Sequence, residues 1–240
     1  MVSKAIILAA GKGTRLRPLT YGIPKPLLPV GGRPVIDYVL DNILTNKNIK
    51  TIYVAVSHMK ESIENYLRHI NRGVEIETIN TLCWETGGDL KTICIEKGIK
   101  EPVLVTYGDN VTKINVAKLA EVHKKTKALA TLSLFRVPWK DVERFGIARV
   151  KGNKITDFVE KPAKEDAFSN LANAGYFIVS PEVIDMLPLD KIKIEKFLFP
   201  QLAKQNRLAG RVYRLDYWLD IGTLEAYREA NKLVERILPP

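Results

Sequence analysis

An α/β fold built on a doubly wound, mixed but mostly parallel sheet is predicted by three observations. Short apolar runs at residues 4–8, 51–56, 102–106 and 128–135 have the length of buried strands. Between them lie stretches with apolar residues at helical spacing, giving a β-α-β-α-β order. At the carboxyl ends of the runs stand glycines, cations and an acidic residue, and it is outside those ends that such sheets bind ligands.

The first run leads into Ile7 to Thr20, ILAAGKGTRLRPLT, followed by Pro24-Lys25-Pro26. Gly11 and Gly13 remove side-chain bulk where the chain turns, so that backbone N–H groups can approach anionic oxygens. Thr14, Arg15, Arg17 and Lys25 follow with the charge a polyphosphate requires. A dinucleotide fingerprint is excluded, because its third glycine position is Leu16, and no stretch supplies a P-loop. Pro18 and Pro24 predict an extended loop rather than a helix start. A glycine-and-cation loop can also be a plain strand-to-helix connection, but residues 10–25 exceed the usual two to six residues of such links, which favours function.

Further along, Gly31-Gly32 predicts a turn, and Val35, Ile36, Val39, Leu40, Ile43 and Leu44 a helix behind Pro34. Residues 61–70 read as a helix and 74–79 as an alternating strand. Gly87 and Gly88, read as preceding a helical run, permit close backbone approach, either to a flat ligand or in a simple turn. The run 102–106 ends in Tyr107-Gly108-Asp109-Asn110, where Asp109 is placed to hold a divalent cation or to cap a turn. Asn115 is the expected cap of a helix over 116–125.

From Pro138 the texture changes to short strands and turns, predicting a small β subregion laid over the main sheet. Residues 145–148 and 155–159 flank Gly152-Asn153 as a hairpin. Glu160-Lys161 follows it, able to act as hydroxyl acceptor and phosphate ligand, or to be an exposed charge pair. Thr223 can cap a final helix whose apolar stripe is Leu224, Tyr227, Val234 and Ile237.

The chain of 240 residues is 46% hydrophobic, enough for a substantial core. Its formal charge of +10 comes from lysines scattered among glutamates rather than from one basic stripe, which argues against a nucleic-acid or membrane surface. Anionic small-molecule substrates account for part of the excess. No apolar run is long enough for a membrane span, and the N-terminus reads as a core strand, not a signal peptide. Cys83 and Cys94 are read as ordinary thiols of a reducing compartment. His58, His69 and His123 show no metal-ligand spacing and are expected at the surface or its boundary. Abundant Lys, Ile and Glu are compatible with a thermophilic source.

Together these stretches resemble the sugar-1-phosphate nucleotidyltransferases, enzymes that make nucleoside-diphosphate sugars. Gly11 to Thr20 with Pro24-Lys25 matches their signature G-x-G-T-R-L-x-P-L-T and P-K without a gap. Thr86-Gly87-Gly88 is similar to their base-contacting L-G-T-G-G segment, departing from it at Glu85 and Asp89. Gly108-Asp109-Asn110 resembles G-D-N, Phe158 to Pro162 F-x-E-K-P, Asn173-Ala174-Gly175 N-A-G, and Trp218 to Thr223 W-x-D-x-G-T.

The resemblance implies a Rossmann-like single domain over residues 1–240, with a nucleotide-binding half at 1–137 and a sugar-binding half at 138–240. The left-handed β-helix of some longer relatives is expected to be absent. Nucleotide contacts are implied for Leu8, Ala10, Gly11, Gly13, Thr14, Arg15, Lys25, Thr86, Gly87 and Gly88, and sugar contacts for Gly146, Glu160, Lys161 and Asn173. Arg15, Lys25, Asp109, Lys161 and Asp220 would carry catalysis, with Mg²⁺ on Asp109 and Asp220. The partners implied are a nucleoside triphosphate and a sugar 1-phosphate in the cytoplasm, with neither nucleic acid nor membrane; a homo-oligomer is compatible. Glucose 1-phosphate with dTTP or UTP is the expected pair. Mannose 1-phosphate with GTP, or a non-catalytic nucleotide-sugar-binding regulatory paralogue, are the alternatives.

Overall fold

The first half of the chain winds a parallel sheet outward from its centre and then crosses back. The computed structural model describes residues 1–237, apart from the side chains of Glu235 and Ile237. Strand β1 (Lys4–Leu8) leads through a loop of one-turn 3₁₀ segments to the two-residue hairpin β2 (Pro29–Val30) and β3 (Arg33–Pro34). Gly31 and Gly32, both at positive φ, make its turn. Helix α1 (Val35–Ile43), β4 (Thr51–Val56), α2 (Lys60–Arg68) and β5 (Glu75–Asn80) follow, with β4 parallel to both β1 and β5. Helix α3 (Glu85–Glu96) carries the chain back across the sheet to β6 (Val103–Tyr107), parallel to the other side of β1. The strand order therefore reverses at β1, and the ends Leu8 and Tyr107 open the crevice that a topological switch point provides.

The C-terminal half corrects one expectation. Its strands, the short one at Trp218–Asp220 apart, are members of the same sheet rather than a layer laid over it. After β7 (Asn110–Thr112) and α4 (Val116–Thr126) come β8 (Ala130–Arg136), β9 (Gly146–Lys151), β10 (Lys154–Glu160) and β11 (Leu171–Val179). Short helices α5 (Glu182–Met186), α6 (Ile194–Phe197) and α7 (Phe199–Lys204) precede β12 (Leu208–Val212), β13 (Trp218–Asp220) and α8 (Leu224–Ile237). The nine-stranded order is β5-β4-β1-β6-β11-β8-β12-β10-β9, and β9 returns to pair with β11 at Leu171↔Ala148. The sheet thus curls back on itself, and this closure delivers the β9–β10 hairpin to the crevice. Gly152 at φ 62° makes the hairpin turn, as expected. The separate ladder β7–β13 pairs Asn110 with Asp220.

Apolar residues of α1, α2 and α4 cover one face of the sheet, and those of α3, α5, α6 and α7 the other, which is the doubly wound arrangement. A third cluster joins Leu16, Leu28, Val30 and Tyr38 to Ala230 and Val234 of α8. The α8 stripe expected from sequence includes Ile237, whose side chain lies outside the described residues. Thr223 caps α8, its hydroxyl accepting from the Ala226 N–H at 3.2 Å, and Asn115 caps α4. His123 is a correction: it is buried, 6% exposed, with its ring nitrogens against the Thr131 and Ser180 hydroxyls. Burial pushes its pKa down to about 4, so it is neutral at pH 7. Both cysteines are free thiols. No described helix is long and apolar enough to cross a membrane.

The glycine pair also differs from expectation. Gly87 and Gly88 lie inside the first turn of α3, not ahead of it. A Cβ at Gly87 would sit 2.8 Å from the Ile192 side chain, and one at Gly88 2.3 Å from the Asp190 carbonyl oxygen. The close backbone approach that glycine permits is therefore made to the chain's own segment 190–192. That contact is sealed by Gly87 N–H donating to Ile192 O at 2.9 Å and Ile192 N–H to Trp84 O at 3.2 Å. Replacing Gly88 by Ala should cost about 1–3 kcal/mol of stability by overpacking against a backbone that cannot yield. Urea unfolding measures it, and a variant as stable as the parent would count against this packing.

Candidate active site

The crevice at the ends of β1 and β6 is a cleft of two communicating lobes, of about 440 and 740 Å³. The wider lobe runs along the glycine loop and is lined by Leu8, Gly11, Gly13, Thr14, Arg15 and Lys25. Gly13 adopts φ 62° because Thr20 packs beneath it and donates its hydroxyl to the Gly13 carbonyl at 2.9 Å. A Cβ at Gly11 would meet nothing within 4 Å, so its backbone lies open to the cleft. Helix α8 braces the β2–β3 hairpin that follows this loop, with Asn231 accepting the Gly31 N–H at 3.0 Å and Tyr227 donating to Pro29 O at 2.6 Å, while Leu16 of the loop shares an apolar cluster with Ala230 and Val234.

The second lobe brings Ala10, Thr86, Gly146, Glu160, Lys161 and Asn173 together with Asp220 and Asp109. Every site residue expected from sequence lines one lobe or both, except Gly87 and Gly88, which face segment 190–192. The hairpin register explains the sugar-side group: Gly146 pairs with Glu160, and the Lys161 N–H donates to Phe145 O at 3.0 Å. Phe145 is wedged edge-on against Trp218, which also stacks on Phe135 and donates to Ala174 O at 3.0 Å.

The β7–β13 ladder brings the two aspartates near each other, and both line the same lobe. Asp109 precedes Asn110, and Asn110 pairs with Asp220, so their Cα atoms are at most about 9 Å apart. Each carboxylate is held by a cation. Lys25 bonds to Asp109 Oδ2. Arg144 Nη2 lies 3.4 Å from Asp220 Oδ2, while Asp220 Oδ1 accepts the Gly222 N–H at 2.7 Å. A Cβ on Gly222 would stand 3.0 Å from Asp220 Oδ1 and 3.3 Å from the Arg15 guanidinium, so the glycine leaves room for both groups at this corner. Paired carboxylate oxygens suit a hard cation such as magnesium, provided substrate oxygens complete the shell. Among the described residues no group of three or more His, Cys, Asp or Glu could hold a metal unaided.

Several lining groups escape sequence reasoning. Glu195 is 5% exposed and accepts from the Thr86 hydroxyl at 2.6 Å and from the Tyr107 hydroxyl. Burial, with Glu195 adding to it, pushes the Tyr107 hydroxyl far above its ordinary pKa. The Asn110 amide Nδ2 is buried without a partner among the described residues, packed over Gly175, where a Cβ would come within 2.4 Å. Such an orphaned donor on a pocket floor is a signal for a ligand acceptor, and only the structure shows it. Lys193 and Arg144 reach the cleft from segments whose spacing carries no pattern. Cys83, Glu85 and Lys161 all adopt positive φ at the cleft wall, where backbone strain tends to gather at functional sites.

A family model for nucleotidyl transferases matches residues 4–237. The chain belongs to the nucleotidyl transferase family. It is 34% identical to the UTP–glucose-1-phosphate uridylyltransferase of Synechocystis sp., over 95% of this chain and 62% of that protein. It is 36% identical to a mannose-1-phosphate guanyltransferase of Yarrowia lipolytica, over 91% of this chain and 60% of the relative. This nucleotidyl transferase chain thus spans about three fifths of the length of the curated relatives it matches. A UDP-glucose pyrophosphorylase solved with UDP-glucose superposes with a TM-score of 0.86 at 24% identity, covering 99% of this chain and all of that one. That likeness concerns the fold.

Glu160 supplies a pH test of the site. Burial raises its pKa to about 7, with Glu195 adding to the shift and Lys161, Lys193 and Lys196 opposing it. The folded protein therefore holds a proton that the unfolded chain, near 4.5, has released. Its contribution disfavours folding progressively as pH rises from about 4.5 to 7, by on the order of 3 kcal/mol when complete. Denaturation midpoints across this window should fall more steeply for the parent than for Glu160→Gln, and equal slopes would refute the buried-carboxyl assignment.

Proposed function

We propose that the protein joins a nucleoside triphosphate to a sugar 1-phosphate, releasing pyrophosphate. The observation that carries this is the convergence of Arg15, Lys25, Asp109, Glu160, Lys161 and Asp220, from five separated segments, on one cleft beside an open glycine loop. A non-catalytic regulatory paralogue has no need to keep all five charged groups assigned to catalysis.

The chemistry needs no protein nucleophile. An oxygen of the sugar phosphate attacks the α-phosphorus, the α–β P–O bond breaks, and its electron pair leaves with pyrophosphate. The barrier is the approach of two anions and the charge that grows on the leaving group, so positioning and electrostatics carry the catalysis. Arg15 and the open backbone at 11–14 hold the β- and γ-phosphates, Lys25 the α-phosphate, and Lys161 the sugar phosphate. Glu160, beside it on the hairpin, accepts from sugar hydroxyls. Magnesium at Asp109 and Asp220 would supply the remaining neutralisation of phosphate charge.

The preferred pair is glucose 1-phosphate with UTP or dTTP. A second reading, mannose 1-phosphate with GTP, is favoured by Glu85, which lines both lobes and whose carboxylate suits a base presenting adjacent N–H donors. Relatives of both kinds lie at similar identity, so the base and sugar are a matter for assay.

Pyrophosphate release over a panel of triphosphates and sugar 1-phosphates tests the proposal, with the glucose pair expected to lead and EDTA to abolish turnover. In that assay Arg15→Ala should lose about 2–4 kcal/mol of transition-state stabilisation, with melting temperature nearly unchanged; full turnover would remove Arg15 from the site. Either of Asp109→Asn or Asp220→Asn should be severely impaired, with partial recovery at high Mg²⁺, and a fully active Asn variant would break the shared-metal assignment.

A further inference from the structure

We propose that Arg144 is a second binding residue for the sugar 1-phosphate, parked on Asp220 while that carboxylate has no metal. The inference rests on the functional reading above and adds to it a residue that no sequence pattern marks. Its first support is register. Arg144 directly precedes Phe145, whose carbonyl accepts the Lys161 N–H, so Arg144 sits one residue from the backbone partner of Lys161 at the same end of the β9–β10 hairpin. Both line the same lobe, together with Glu160 and Asp220. A phosphate held by Lys161 thus lies within the sphere of the neighbouring guanidinium, whose planar donors match two phosphate oxygens at once.

The second support is the present partner of Arg144. Its guanidinium is 3.4 Å from Asp220 Oδ2 and 3.9 Å from Asp141 Oδ1, over the Phe145 ring at 5.4 Å. The side chain remains 53% exposed. Pairs this long and this exposed are weak and exchange readily. Asp109 also carries a basic partner, Lys25, in a closer and less exposed pair with a cation already assigned to phosphate. Both acidic corners of the cleft are therefore covered by basic side chains with phosphate chemistry to perform. With Asp220 engaged by a divalent cation, Arg144 would lose this partner and be free to meet the incoming anion. The same charge logic makes Arg144 a competitor of metal: its removal leaves Asp220 with less neutralising charge.

Calorimetric titration of glucose 1-phosphate and mannose 1-phosphate into the nucleotide-free protein with Mg²⁺, using wild type, Arg144→Gln and Arg144→Lys, tests this directly. Arg144→Gln should weaken binding of the preferred sugar phosphate about tenfold or more, with Arg144→Lys recovering part of it and triphosphate affinity within about twofold of wild type. Mn²⁺ titrated alone should bind Arg144→Gln several-fold more tightly. Unchanged sugar-phosphate affinity in an Arg144→Gln protein with a wild-type melting curve overturns the inference while leaving the functional reading standing. A drop in sugar-phosphate affinity without tighter Mn²⁺ binding overturns the parking on Asp220. Wild-type protein that binds neither sugar phosphate and releases no pyrophosphate with any pair overturns both.

Discussion

Three residues of antiparallel ladder hold the cleft together. Strands β7 and β13 are more than a hundred residues apart in sequence, yet their pairing sets Asp220 opposite Asn110 and beside Asp109. From that ladder the rest of the site is positioned. Trp218 at one end props Phe145, and so the Gly146 end of the hairpin. Ile221 just beyond the other end enters the cluster that anchors α8 to the glycine loop. Bringing two carboxylates together is unfavourable unless cations accompany them, and Lys25 and Arg144 do so here. The ladder supplies proximity, and the cations make it tolerable.

Charge is divided along the cleft. The glycine-loop side is cationic and open, suited to a polyanion. The opposite wall carries the half-buried Glu160 and the buried Glu195, whose charge adds to the burial that disfavours ionisation of Glu160. Acceptors of that kind suit hydroxyl-rich ligands and repel stray phosphate. The wall holds its form through hydroxyl donors from Thr86 and Tyr107 rather than through ion pairs.

Much of the architecture was legible in the sequence, because strands such as Lys4–Leu8 and Thr51–Val56 are buried on both faces and so are almost wholly apolar. Caps at Asn115 and Thr223 were legible because their side chains bond within three residues. The curled second half of the sheet was not, since pairing β9 with β11 depends on contacts that no local pattern records. Gly87 and Gly88 announced a close approach without saying to what; the answer, residues 190–192, lies a hundred positions away. His123 was expected at the surface or its boundary because no metal-ligand spacing marked it, but it falls on the buried face of its helix. Glu195 and Arg144 acquire meaning only from what stands across the cleft.

The support of the glycine loop by α8 has a consequence for how the protein is made. During synthesis the loop emerges from the ribosome ahead of that helix, complete with its cations and its taste for polyanions. Its backing of Tyr227, Asn231 and Val234 emerges some two hundred residues later. Until then Leu16, Leu28 and Val30 have no apolar surface from that helix to cover them. The nascent chain therefore carries an unfinished phosphate cradle while the intervening residues are made, at synthesis rates of roughly 5–20 residues per second. Completion of the site waits on the helix at 224–237, so that ligand affinity arrives late, with the closing of the fold.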